Sequence, residues 1–196
     1  MGSREDILRS LRAAAVPATP LPDLVGFGQR FPDLRERFSQ SVAEVGGRCV
    51  RLDDIAALDD ELSRIPEYLA AKKVVSLLPG VKKANVELPA IADPHELADL
   101  DYCVIGGELG VAENGAVWVT NHGLKNRAAC FLSQHIAIVV RADSLVHNLH
   151  EAYDRISIPQ PGFGMFLSGP SKTADIEQAL VIGAHGARSC TVLLVG

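Results

Sequence analysis

The chain has 196 residues, of which 47% are hydrophobic and 22% charged, with a formal net charge of −5. That composition excludes a disordered or fibrous chain and leaves enough length to bury a substantial core. An acidic balance with no basic run argues against a nucleic-acid partner, since neutralising phosphates needs clustered Lys and Arg.

The first element expected is a helix. Ser3-Arg-Glu-Asp6 has the form of a capping box, and Ile7, Leu8 and Leu11 form a short apolar stripe. Pro17, Pro20 and Pro22 then stop regular structure, so residues 1–30 read as a helical arm and a Pro-rich linker ahead of an α/β domain over 31–196. The acidic Glu5 and Asp6, with neither an apolar leader nor a run of about 18 apolar residues, predict a cytoplasmic protein without a membrane span.

A second helix is expected from Pro32 to about Val45, closed by Gly46-Gly47. Arg48 to Leu52 reads as a strand. Asp53 or Asp54 caps a helix through Ile55, Leu58 and Leu62, which Pro66 interrupts or follows with a further turn. Val74 to Leu78 is a strand of the fully buried type, followed by a loop holding Pro79, Pro89 and Pro94. Strands are then expected at Tyr102–Ile105, Gly115–Thr120 and the β-branched run Ile136–Val140. A helix from Ser144 to about Arg155, a strand Phe163–Leu167, a helix Ala174–Ile182 and a strand Thr191–Val195 complete the series. Continuous apolar strands alternating with amphipathic helices predict a Rossmann-like α/β fold, a mostly parallel sheet with helices on both faces. No Gly-x-Gly-x-x-Gly joins an early strand to a helix, and no Walker A sequence is present.

Four stretches carry candidate chemistry. Gly106-Gly-Glu-Leu-Gly-Val-Ala-Glu-Asn-Gly115 follows a buried strand, where ligands usually bind in an open α/β sheet. A tight turn at Asn114-Gly115 would hold Glu113 on its rim as a candidate nucleophile or general base, with Glu108 available to share the site. A second stretch, Asn121-His122-Gly-Leu-Lys125-Asn-Arg127, suits a carboxylate or phosphate ligand through His122 and Lys125, or is a solvated loop. His147 and His150 lie three residues apart without a third ligand, so no metal site is assigned. The fourth stretch is Gly169-Pro-Ser171-Lys172-Thr173-Ala-Asp175-Ile-Glu177, with Gly183-Ala-His185-Gly186 after it. A capped strand-to-helix turn here would aim amides outward beside Lys172 and make an anion-binding corner of Ser171, Lys172 and Thr173. Asp175 and Glu177 would oppose an anion there. Cys49, Cys103, Cys130 and Cys190 are widely spaced and form no iron–sulfur or zinc motif; Cys103 and Cys190 sit in apolar runs as buried hydrophobes.

On Ser168-Gly-Pro-Ser-Lys-Thr-Ala-Asp-Ile-Glu177, Gly183-Ala-His-Gly186 and Ala112-Glu-Asn-Gly-Ala116, the chain resembles the lactate-utilisation protein C, or LUD-domain, family from about residue 40 onward. The family usually reads Ala-Glu-Ser-Gly-Thr at the last of these, so two hydroxyls are missing here. The resemblance implies a fold similar to the superfamily of CoA transferases, ribose-phosphate isomerases and glucosamine-phosphate deaminases. It also implies an accessory or substrate-binding role, beside iron–sulfur partner proteins, in oxidising L-lactate to pyruvate. With no cluster motif of its own, the chain would leave iron–sulfur centres to those partners and use Glu113, His122 and Lys172 for a small carboxylate or anionic ligand. Glu113-Asn-Gly115 is also similar to the Ser-Glu-Asn-Gly element of CoA transferases, with Ala112 in place of the Ser, which implies the alternative of a stand-alone acyl-transfer or sugar-phosphate enzyme using Glu113. A homo-oligomer is compatible with both readings.

Overall fold

The protein is described from a computed structural model in which residues 3–16, 19–20, 22–122, 124–158, 162–173 and 180–196 are placed. In chain order the elements are α1 (Ser3–Ala13), α2 (Leu34–Glu44), β1 (Arg48–Leu52), α3 (Leu58–Leu62), α4 (Pro66–Ala70), β2 (Val74–Ser76), β3 (Tyr102–Gly106), β4 (Leu109–Val111) and β5 (Ala116–Thr120). They continue with α5 (Ala129–Leu132), β6 (His135–Arg141), β7 (Leu145–Val146), α6 (Leu149–Arg155), β8 (Gly164–Leu167), β9 (Lys172–Thr173), β10 (Val181–Ile182) and β11 (Ser189–Val195).

A parallel sheet in the order β1-β11-β6-β3-β2 forms the centre, as the continuous apolar runs require. Its side chains alternate between two cores. Tyr102, Val104, Ala137, Val139 and Leu193 meet Leu58, Leu62 and Tyr68 of α3 and α4 on one face. Cys103, Ile105, Ile136, Ile138, Val192 and Leu194 meet Phe38 and Val42 of α2, Ala129 and Cys130 of α5, and Val117 and Val119 of β5 on the other. Helices thus flank both faces. A second, four-stranded sheet in the order β7-β4-β5-β8 joins α2 and α5 on the latter face, and its far side packs Trp118, Val146 and Phe166 against Ala152 of α6.

Pro66 opens α4 at its first turn, and Asp54 caps the short 3-10 turn Ile55–Ala57 ahead of α3. Two expected helices differ. The helix expected from Ser144 begins at Leu149, because Leu145 and Val146 pair in parallel with Gly110 and Val111 and Asn148 then supplies the N-cap. Of the helix expected over Ala174–Ile182, residues 174–179 lie outside the described residues, and Val181–Ile182 pair antiparallel with Lys172–Thr173 as a two-stranded ribbon.

The β4–β5 hairpin depends on one glycine at its tip. Gly115 has φ +66°, and a Cβ there would meet the Val42 backbone nitrogen at 2.7 Å, so the turn closes directly on α2. Ser41 Oγ of α2 donates to Ala112 O at 2.6 Å and fixes the same approach. No helix among the described residues is long and apolar enough to cross a membrane.

Candidate functional site

The hairpin separates the two carboxylates that the sequence places five residues apart. Glu108 precedes β4, at the carboxyl end of the parallel strands, whereas Glu113 follows it at the opposite end of the hairpin. They do not share a pocket.

Around Glu108 the structure assembles a compact polar group. Glu108 N–H donates to Trp118 O at 2.9 Å, which holds its backbone to β5. Its Oε1 accepts from Thr120 Oγ1 at 2.5 Å and lies 3.4 Å from Nδ1 of His122. Beside this group is a cavity of about 240 Å3, walled by Leu77 and Leu78 after β2, Gly106 at the end of β3, Gly107 after it, and Val119. Gly107 makes the fold over this cavity possible, since a Cβ there would meet Val117 Cγ1 at 2.2 Å. Drug-sized ligand sites run to about 300–1,000 Å3, so this cavity suits a small metabolite. Thr120 was not legible as a site residue; the available signal was a hydroxyl ending a strand that is otherwise wholly apolar.

Glu113 has a different setting. Its carboxylate accepts the N–H of Leu149, the first residue of α6, at 3.1 Å, and its own N–H donates to His147 O at 3.0 Å. Asn114 is used locally: its Oδ1 accepts from Ala116 N at 3.1 Å and its carbonyl accepts from Ser168 Oγ at 2.9 Å. His147 Nδ1 accepts the N–H of Phe31, and His150 packs edge-on to Phe27 at 5.0 Å, so both imidazoles hold the linker against α6. Among the described residues no group of three or more His, Cys, Asp or Glu is arranged to hold a metal ion.

The polar loop after β5 divides between roles. His122 joins Glu108, but Lys125 Nζ donates to Pro89 O at 2.5 Å and Arg127 lies 5.0 Å over the Phe163 ring. Of the expected anion corner, Lys172 and Thr173 form β9, and the Lys172 ammonium donates to Val45 O, where α2 ends. Ser171 N–H donates to Ala187 O at 2.9 Å, and Ser171 O accepts from Gly183 N at 2.9 Å. These bonds bring the two halves of the Gly169-to-Gly186 stretch around a second cavity, of about 230 Å3, lined by Ser171, His185 and Gly186 together with Cys130 and Cys190. Lys125 and Lys172 therefore do not converge with Glu108 and His122.

Comparison with known proteins places this architecture. The chain is 36% identical over 96 residues to Lactate utilization protein C 1 of Bacillus mycoides (strain KBAB4), covering 44% of this chain and 39% of that protein. It is 26% identical over 175 residues to Lactate utilization protein C of Geobacillus sp. (strain WCH70), covering 83% of this chain and 68% of that one. The chain spans about two fifths of the length of the first three such relatives, at 39%, 42% and 40%. A crystal structure of a DUF162 family protein from Deinococcus radiodurans has the same fold, with a TM-score of 0.60 at 18% identity over 83% of this chain and 96% of that one. The LUD domain family matches residues 36–195, which takes in both sheets and both cavities, and the chain belongs to that family.

Proposed function

We propose that the protein serves lactate utilisation as a substrate-binding subunit, holding a small hydroxy acid at the Glu108–Thr120–His122 group and working beside iron–sulfur proteins that accept the electrons. The observation that carries this reading is an imidazole 3.4 Å from a carboxylate, beside a cavity of about 240 Å3 at the carboxyl ends of the parallel strands. The names of the similar lactate-utilisation proteins support the same direction.

The chemistry assigned to this chain is proton handling. His122 Nδ1 lies 3.4 Å from the Glu108 carboxylate, and the hydrogen bond from Thr120 keeps that carboxylate in place. Conversion of a 2-hydroxy acid to a 2-oxo acid releases a hydroxyl proton, and an imidazole so held is suited to receive it. The chain's own cysteines do not fit an iron–sulfur cluster: Cys103, Cys130 and Cys190 are buried in the apolar core, and Cys49 sits apart near Ser39 Oγ, at 3.5 Å. The alternative, a stand-alone acyl-transfer or sugar-phosphate enzyme using Glu113, has less support because that carboxylate already accepts the Leu149 N–H.

The test is lactate-dependent reduction of an acceptor dye by the chain, alone and with its iron–sulfur partners. Glu108→Gln and His122→Gln are expected to lower the rate by roughly 10²-fold or more while the complex still assembles, as loss of a positioned base does. Glu113→Gln is expected to retain most of the rate. Unchanged rates in the first two variants would remove the Glu108 group from the reaction, and turnover without partners would favour the stand-alone enzyme.

A further inference from the structure

The stretch from Gly169 to Gly186 takes no part in the group around Glu108, yet it borders a cavity of its own, of about 230 Å3. The two cavities stand at opposite ends of the central sheet. Ile136 and Cys190, which line this one, are the second residues of β6 and β11 and mark the amino ends of the parallel strands. Ile105 and Gly106, beside Glu108, are the last residues of β3.

The lining divides by polarity. Cys130, Ile136, Ala187 and Cys190 are buried and form a floor of carbon and sulfur, with the half-buried Phe166 ring as a wall. Polar side chains stand at the entrance, where Ser171 is half-buried and His185 exposed. Ser168 is there too, but its hydroxyl already donates to Asn114 O at 2.9 Å. The Ser171 backbone is likewise committed, its N–H to Ala187 O and its carbonyl to Gly183 N–H, so what it offers a ligand is its hydroxyl. Gly186 leaves room for that side chain, since a Cβ there would stand 3.0 Å from Ser171 Cβ and 3.4 Å from its Oγ. Water suits such a floor poorly, because it needs several polar partners.

We propose that this cavity binds a short-chain monocarboxylic acid of about six carbons, its chain on the Cys130–Ile136–Cys190 floor and its carboxylate at Ser171 and His185. Volume sets the chain length. An apolar cavity of about 150 Å3 holds benzene, so one of about 230 Å3 takes a chain of similar carbon content together with its head group. Donor type sets the head group. A serine hydroxyl donates one hydrogen bond, and an imidazole carries an N–H in either protonation state, so both serve a carboxylate. No Asp or Glu is among the described lining residues, so an anion meets no like charge at the entrance. A second carboxylate at the far end of the chain would be buried against the floor without a partner, which excludes dicarboxylic acids.

The test is an NMR titration of the full chain, labelled at its Ile, Leu and Val methyl groups, with acetate, butyrate, hexanoate and adipate. Hexanoate is expected to shift the Ile136 methyl signals and to give nuclear Overhauser contacts to them. Each added methylene from acetate to hexanoate should tighten binding about fourfold, the factor for burying one CH2. Adipate should bind at least about tenfold less tightly than hexanoate. Ser171→Ala and His185→Gln, both at the entrance and outside the core, should each weaken hexanoate about tenfold by removing a bond to a charged group. Contacts to Leu77 or Leu78 in place of Ile136 would put the acid in the Glu108 cavity and overturn the proposal. So would an affinity independent of chain length, unchanged affinity in both variants, or no shift at Ile136 with any of the acids.

Discussion

His135, which opens β6, illustrates how one side chain at the edge of a core couples to pH. Its Nδ1 lies 2.8 Å from Ser189 Oγ and its ring stacks on Tyr102 at 6.1 Å. Burial lowers its pKa below the ordinary value; Arg188 acts in the same direction, while Glu67 and Asp101 oppose. The unfolded chain therefore binds more protons than the folded one between the two values. The contribution to stability is full above the unfolded value, about 6.5, and is lost as pH falls through the folded one. We expect the urea midpoint to decline from about pH 7 to about pH 5 and His135→Asn to make that decline shallower; an unchanged slope would assign it to other groups. At this scale the sequence was informative about chemical type and silent about setting. Glu108 and Glu113 are equivalent carboxylates in the sequence, but one meets a hydroxyl and an imidazole and the other the first amide of α6.

The elements show where local signals compete. A helix is expected from Ser144, but the two residues after it complete an edge of the second sheet, and Asn148 caps α6. Asn148 Oδ1 accepts from Glu151 N at 3.0 Å while Nδ2 donates to Gln29 O at 3.1 Å, so one buried amide side chain both starts α6 and binds the linker. Asn148→Ala is expected to cost about 1–2 kcal/mol in chemical denaturation. Limited proteolysis should then cut the linker near Gly28 sooner than in the wild type. The strands β7, β9 and β10 are two residues each, too short for any periodicity to mark them. Lys172 accordingly reads as a residue beside a helix start, although its ammonium meets the carbonyl of Val45, the C-cap of α2.

For the whole molecule, α1 has no buried residue, with Ile7 58% and Leu11 63% exposed. Removing residues 1–16 is expected to leave the thermal midpoint of the remaining chain unchanged, measured by calorimetry; a fall of several degrees would mean that α1 docks in solution. The central sheet itself was legible because strands buried on both faces must be continuously apolar, as Ile136–Val140 and Val192–Val195 are, and because the intervening lengths suit crossovers. The chain thus determined its fold class, most of its parallel strands and the residue types able to do chemistry, all of which follow from local patterns of polarity and conformation. Tertiary structure alone decided that Glu108 and Glu113 stand at opposite ends of a hairpin and that Thr120 and His122 meet Glu108. Those pairings arise from strand order and hairpin closure, and contacts between residues distant in sequence leave no period in the chain for a reader to find.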